Sequence, residues 1–335
     1  MVAEHDAVPR RPVALSDIYK ARQIIMPHTR RTPLVHSASL SEIAGAEIWL
    51  KQENMQVTGS FKMRGVSNKM MQLSEAEKAA GVVTVSTGNH GRALAAFAQQ
   101  IGIRAVICGP SSVPGNKTAA IKRFGAEVRL IGDTQDEAQL EADRLVTEEG
   151  LTWVAPFDDP TIIAGQGTIS LEIIEDLPGV DAIVAPLAGG GLLSGIAVGA
   201  KSVDPRIQVI GTSMEIEPGM VKSLEAGRPI TVEEFPSLAD ALGGSIGLNN
   251  RYTFPLVQEL MDEAVLIAED ELAPTMRHIF RHEGIVIEGG SAAAPAAAYT
   301  GKLARLKGKK IAVVISSRNI DPQQFQDIVL ESAES

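Results

Sequence analysis

Short apolar runs rich in β-branched residues recur along this chain, and each is followed by a turn and then a helical stretch. They lie at 82–86, 105–108, 128–131, 182–185, 208–211 and 311–316. Helices are expected at 17–26, 61–73, 91–100, 117–124, 136–149, 168–177, 192–200, 269–283 and 291–306. Strands of four to six residues alternating with helices imply parallel sheets with helices on both faces. A chain of 335 residues is long for one core, so two domains are the default expectation.

Charge and cysteine content narrow the function classes. Lys and Arg total 31 against 41 Asp and Glu, a net charge of −10, which argues against a general nucleic-acid surface. Lys117, Lys122 and Arg123 are the nearest thing to a basic patch and read as a solvated helix face. A single cysteine, Cys108, forbids an internal disulfide and reads as a small buried residue after a strand. No run of 18 apolar residues is present, so no membrane partner is expected, and the start carries no apolar leader. A cytoplasmic protein is the simplest account. Residues 1–14 read as a loose arm, with Ser16 capping the first helix and Pro27 ending it.

Three loops carry the chemistry. After the strand at 182–185 comes Leu187-Ala188-Gly189-Gly190-Gly191-Leu192, and a helix begins at once. Consecutive glycines let backbone N–H groups converge, and the helix N-terminus adds positive dipole, so Gly189, Gly190, Gly191 and Leu192 form a candidate phosphate cradle. A nucleotide P-loop would need Gly-Lys-Ser/Thr, which is absent, and Gly189, Gly191 and Gly195 miss the dinucleotide spacing by one residue. A small phosphate monoester fits better. The bland alternative is a tight strand-to-helix turn.

The second loop is Thr58-Gly59-Ser60-Phe61-Lys62-Met63-Arg64-Gly65. A Schiff-base lysine must be partly buried so that its amine can be neutral, and Lys62 behind Phe61 is a candidate. The third, Ser86-Thr87-Gly88-Asn89-His90-Gly91, offers helix N-terminal amides and two hydroxyls to a substrate carboxylate, with the Asn89 amide free to donate to a ring oxygen. Ser316 sits at a strand C-terminus, where open α/β sheets place ligands. His278 and His282 have metal-ligand spacing but no adjoining glutamate, and no metal site is expected.

Taken together, these stretches resemble the fold-type II pyridoxal-phosphate enzymes, and within them the serine/threonine dehydratase and serine racemase branch. The likeness spans about Ile18 to Asp321. It includes Thr32-Pro33-Leu34, Lys51-Gln52-Glu53-Asn54, Pro114 with Lys117, Phe124-Gly125-Ala126-Glu127-Val128, Pro156-Phe157-Asp158-Asp159 and Gly165-Gln166-Gly167-Thr168. The resemblance implies two open, mostly parallel twisted sheets flanked by helices, tryptophan synthase β-like, with the active site between the domains. It implies a large domain of residues 1–65 and 158–335 and a smaller substrate-closing domain of 66–157. Lys62 would be the Schiff-base lysine of pyridoxal 5′-phosphate and the general base. Phe61 and Asn89 would hold the ring, Gly189 to Leu192 the phosphate, and Ser316 would face the pyridine nitrogen. Ser86, Thr87, Gly88 and His90 would surround the substrate, with Thr87 on the opposite face. The implied reaction is loss of water from a β-hydroxy amino acid to give a 2-oxo acid and ammonia. Racemisation and β-replacement are the alternatives, and a non-catalytic binding protein the third.

Three departures from that branch's pattern stand out. Ala188 replaces the first of four glycines, and the last strand ends Ser316-Ser317-Arg318-Asn319 rather than in a glycine pair. The residues after 211 lack clean acidic metal spacing. The departures resemble a sub-branch that includes hydroxyectoine-breakdown enzymes. Arg318 then points to a substrate with an extra acidic or acyl group. Sixteen residues follow Asn319, so a C-terminal regulatory domain is not expected. The family implies a homo-oligomer, dimer or tetramer.

Overall fold

A computed structural model describes residues 11–113 and 115–330, apart from the side chains of 116 and 117. The basic-patch residue Lys117, the motif residue Pro114 and most of the N-terminal arm therefore lie outside what is described. Ten strands occur in chain order: β1 (Leu34–His36), β2 (Glu47–Gln52), β3 (Val82–Val85), β4 (Ala105–Gly109), β5 (Glu127–Leu130), β6 (Thr152–Trp153), β7 (Ala182–Pro186), β8 (Gln208–Met214), β9 (Glu263–Ile267) and β10 (Lys310–Ile315). They form two sheets, one of six strands in the order β1-β2-β10-β7-β8-β9 and one of four in the order β5-β4-β3-β6. Every pairing is parallel except β1 with β2.

The apolar runs are continuous because both faces of each sheet are covered. Ile183 and Ala185 of β7 join one buried cluster, while Ala182 and Val184 join the cluster on the other face. β10 divides in the same way, with Ala312 and Val314 on one side and Ile311, Val313 and Ile315 on the other. The four-stranded sheet has its own pair of clusters, and Cys108 is buried in one of them beside Val83 and Val106. A strand packed on both faces shows no period-two pattern.

Several helix boundaries differ from the sequence expectation. The first helix starts at Leu15, so Ser16 lies inside it rather than capping it; Ala14 is the N-cap, and the Asp17 carboxylate accepts the Ala14 amide (3.0 Å). The helix expected from Thr168 begins at Pro160, because the Asp159 carboxylate accepts from the Thr161 and Ile162 amides (2.7 and 3.1 Å) and proline opens the first turn. The helix expected through Glu283 is regular over Glu269–His278 and widens into a π-turn at Ile279–Glu283 before Gly284 ends it. The helix expected through Leu306 runs Gly289–Tyr299 and stops before Gly301, which has φ +76°. Strands β1, β6 and β9 and the helices Ala38–Ala44, Glu75–Ala80, Gly219–Glu225, Thr253–Leu260 and Pro322–Leu330 were not anticipated. Among the described residues no helix is long and apolar enough to cross a membrane.

Candidate active site

The lysine loop is stitched to the segment that leaves β10. Ser60 bridges Ser317, the Phe61 amide donates to Ser316 O (3.0 Å), and the Arg318 amide donates to Gly59 O (2.9 Å). Gly59 has φ +78°, and a Cβ there would stand 2.7 Å from Asn319 Oδ1, so the turn requires glycine. Lys62 opens the helix Lys62–Met71, and its ammonium donates to Pro156 O at 2.6 Å. Its Nζ lies 5.3 Å from the centre of the Phe61 ring. Burial pushes its pKa down to about 8. At pH 7 roughly a tenth of this amine is therefore unprotonated and nucleophilic, far more than an ordinary lysine offers.

Two features fix that helix. The first is a pair of glycine crossings. A Cβ at Gly165 would stand 2.7 Å from Gly65 Cα, so the lysine helix and Pro160–Asp176 touch backbone to backbone. A Cβ at Gly195 would stand 2.6 Å from Gly167 N, so Pro160–Asp176 meets the glycine-loop helix Gly191–Val203 in the same way. The second is a buried charge cluster. Arg64 pairs with Glu53 through Nε and Nη2 (2.7 and 2.8 Å) and with Glu172 through Nη1 and Nη2 (2.7 and 2.9 Å). Lys51 donates to Glu172 Oε2 (2.5 Å) and Thr32 O (2.7 Å), and the Thr32 hydroxyl donates to Glu53. Burial opposes the Glu172 charge, but Arg64 and then Lys51 hold its carboxyl below the usual range. Two cations and two carboxylates thus compensate one another under the lysine helix.

The glycine loop leaves β7 and is clasped from both sides. A Cβ at Gly189 would collide with the Phe157 ring, and one at Gly191 would stand 3.0 Å from Phe157 Cβ. On the other side, Gly190 has φ +87°, and a Cβ there would stand 2.7 Å from Met220 Cε and 3.0 Å from Thr253 Cβ. Asp158 holds Thr253 by accepting its amide at 2.8 Å, together with those of Arg251 and Tyr252. No side chain caps the helix that begins at Gly191. Its first amides are left for a ligand, as a phosphate site requires. The Leu192 side chain is buried in the core, so this residue can offer only its backbone. Pro156, which receives the Lys62 amine, directly precedes Phe157, so the lysine and the loop meet at one place.

The asparagine loop leaves β3 on the other sheet. A Cβ at Gly91 would fall on Ser86 O, so only glycine lets the helix Asn89–Ile101 fold back on this turn. The Thr87 methyl packs toward Gly109 at the end of β4. His90 is buried; its Nε2 donates to Val154 O (3.1 Å) and its Nδ1 has no partner. Burial, and then the charge of Lys62, push its pKa down to about 3, so it is neutral. Asn89 is tied at both ends: its Nδ2 donates to Glu288 Oε1 (2.6 Å), and its Oδ1 accepts from Asn319 Nδ2 (2.6 Å). Glu288 also accepts from the Ser317 hydroxyl (2.5 Å), and Asn319 donates to Thr58 O (2.9 Å). Ser316 is buried, with its hydroxyl 3.5 Å from that of Ser317.

The structure brings Phe61, Lys62, Ser316 and Asn89 to one locus, and Gly189 to Leu192 to the far side of Phe157. Ser86, Thr87 and Gly88 form the turn before Asn89, and Arg318 is exposed at its rim. Sequence reasoning missed Glu288, Phe157 and Asp158 as parts of the site. Glu288 precedes Gly289-Gly290 at the start of an apolar helix, and that placement is the signal that could have found it. The locus fits pyridoxal phosphate. It has a desolvated amine, an uncapped helix N-terminus behind crowded glycines, and buried polar atoms of Thr58, Ser60 and His90 without protein partners. Among the described residues no group of three or more His, Cys, Asp or Glu is placed to hold a metal ion.

Comparison with known proteins agrees with this chemistry. Residues 25–317 match the model of the family described as pyridoxal-phosphate dependent enzyme. An L-threonine ammonia-lyase of Thermotoga maritima is 44% identical over 317 residues, covering 95% of this chain and 78% of that protein. A catabolic L-threonine dehydratase of Escherichia coli K12 is 40% identical over 318 residues, 95% of this chain and 96% of its own. Among solved structures, a serine racemase from Dictyostelium discoideum superposes with a TM-score of 0.86 at 35% identity, covering 92% of this chain and 99% of that one.

Proposed function

The chain belongs to the pyridoxal-phosphate dependent enzyme family, and from that premise we propose that it is an ammonia-lyase. It would remove water from a β-hydroxy amino acid of the threonine or serine kind and release a 2-oxo acid and ammonia. The observation that carries this is Lys62: an amine with its pKa near 8, held by Pro156 O, one residue from the phenylalanine that backs the glycine loop. The ammonia-lyase and dehydratase relatives, 44% and 40% identical against 35% for the serine racemase, support elimination over racemisation.

Bound pyridoxal phosphate would supply an aldehyde for amine condensation and a ring that draws electrons from the substrate Cα. The chain's own residues do the rest. Amides at Gly189 to Leu192 hold the phosphate. Phe61 and Asn89 hold the ring, with Asn89 oriented by Glu288 and Asn319. Lys62 is the attachment amine, and once released it takes the Cα proton, which its lowered pKa suits near neutral pH. The buried Ser316 would offer the ring nitrogen a hydroxyl, which would not fully protonate it. Ser86, Gly88 and the helix N-terminal amide of His90 bind the carboxylate end of the substrate, while the neutral His90 ring stays on Val154 O. Thr87 offers a hydroxyl on the opposite face. Residues 66–157 form the smaller, substrate-closing unit around the four-stranded sheet, and 1–65 with 158–335 form the larger one. The working form is a cytoplasmic homo-oligomer, a dimer or tetramer.

The test is release of ammonia and 2-oxo acid by the cofactor-loaded protein from L-serine, L-threonine, both 3-hydroxyaspartate diastereomers and an N-acylated hydroxy-diamino acid. Turnover of any of them, abolished in Lys62→Ala, supports the reading. A yellow protein that binds these compounds without releasing oxo acid overturns it, and chiral analysis of recovered substrate then tests racemisation.

A further inference from the structure

Five arginines lie between residues 66 and 157. Three are neutralised: Arg104 by Glu127 and Glu149, Arg129 by Glu127 and Glu141, and Arg144 by Glu141 and Glu148. The other two, Arg92 and Arg123, have no guanidinium partner among the described residues, and neither has Arg318. All three gather at the rim of the candidate site. Arg92 lies three residues after Asn89 on the same helix, hence on the same face. Its Nε is buried without a hydrogen bond, which is costly for a charged group in a finished, ligand-free surface. Arg318 lies on the segment that leaves β10, against the lysine loop: its amide donates to Gly59 O, and its Cγ stands 3.3 Å from where a Gly59 Cβ would be. Arg123 follows the helix Gly115–Lys122, which packs on the asparagine helix.

We propose that Arg92, Arg123 and Arg318 form an anion-receiving rim that selects a β-hydroxy amino acid bearing a second carboxylate on its β-carbon, 3-hydroxyaspartate being the simplest. The proposal rests on the ammonia-lyase reading and names its substrate class. The three cations share a field. Burial, and then Arg123 and Arg318, hold the Arg92 guanidinium below its usual range, while Glu288 opposes them. Glu288 already accepts from Asn89 and Ser317, so it is engaged in holding the ring-side asparagine. A substrate carboxylate would supply the missing counter-charge and a bidentate acceptor for Arg92 or Arg318. The product would be oxaloacetate with ammonia: 3-hydroxyaspartate loses water across Cα–Cβ, and the resulting enamine gains it back on hydrolysis. Threonine, with a methyl group at that place, leaves the cations unpaired.

The experiment compares kcat/KM for L-threonine and for both 3-hydroxyaspartate diastereomers in the cofactor-loaded wild type, Arg92→Gln, Arg92→Lys and Arg318→Gln. A hydrogen bond to a charged group is worth about tenfold or more. The hydroxyaspartate-to-threonine ratio should exceed one in the wild type and fall at least tenfold in each glutamine variant, with Arg92→Lys retaining part of it. A second readout is independent of turnover. L-aspartate, which has no β-hydroxyl to lose, should bind more tightly than L-alanine by calorimetry, and that preference should vanish in the same variants. Threonine turnover with both ratios unchanged within twofold overturns the rim and leaves the lyase reading standing. No oxo acid from any substrate, but an aspartate preference lost in the variants, overturns the lyase reading and leaves the rim. Arg318 is exposed, so Arg318→Gln decides the matter should the buried site tolerate no change at Arg92.

Discussion

Replacing Lys62 by methionine should change the pH dependence of stability in a direction set by burial. The ammonium falls from its ordinary 10.5 to about 8 in the folded protein. Between those values the unfolded chain binds more protons than the folded one, so stability rises with pH. The penalty is fully present below pH 8, relaxes from about 8 to 10.5, and is gone above that window. The whole shift corresponds to about 3 kcal/mol, of which about 1.3 kcal/mol is recovered between pH 7 and pH 9. Methionine fills a similar volume and carries no charge. Losing the bond to Pro156 O displaces the variant's curve without giving it this slope. Unfolding entropy for 335 residues converts the recovery into a melting shift of about 2 °C. Differential scanning calorimetry of the cofactor-free proteins at pH 7, 8 and 9 should therefore show the wild type gaining about 2 °C on Lys62→Met. Parallel curves would refute a desolvated amine, and a wild type that loses ground as pH rises would show that its pKa is raised instead.

Gly190→Ala should weaken retention of pyridoxal phosphate at least tenfold, read by equilibrium dialysis, because a side chain at φ +87° pressed on Met220 and Thr253 distorts the cradle; unchanged retention would argue against the loop as the phosphate site. Glu172→Gln should cost about 3–5 kcal/mol in urea denaturation, since it strips Arg64 and Lys51 of a buried countercharge, and a loss under 1 kcal/mol would show that the cluster is water-filled. Cys108 should resist a disulfide reagent at pH 8 in the native protein and react fully in guanidinium chloride, because burial pushes its thiol up to about 11. Rapid native labelling would mean that this sheet face opens.

Much of the architecture was legible because a parallel sheet covered on both faces leaves unbroken apolar runs, as at Ala182–Pro186 and Lys310–Ile315. The three loops were legible too, since glycine, asparagine and lysine after strand-like runs have few other uses. Their convergence was not. Whether Lys62 is desolvated depends on Pro156, 94 residues away, and nothing local to 61–73 reports that distance. The first turns of Pro160–Asp176 were misread because Gly165 and Gly167 lower helix propensity, and their justification lies in partners on two other helices. Glu288 was overlooked because a carboxylate before a glycine pair reads as a cap; its hydrogen bonds to Asn89 and Ser317 close over 199 and 29 residues.

The bare glycine crossings have a consequence for how such a site can change. Where Gly65 meets Gly165 and Gly167 meets Gly195, backbone rests on backbone with no side chain to rotate or shrink. The lysine at one helix start and the glycine cradle at another are thus set apart by a spacer that sequence drift cannot lengthen or shorten without collision. The rim arginines Arg92 and Arg123 hang from the other sheet, one on the asparagine helix and one in the turn after Gly115–Lys122, and neither belongs to these two crossings. Selection can retune what is recognised there while the distance between the reactive amine and the phosphate anchor stays fixed.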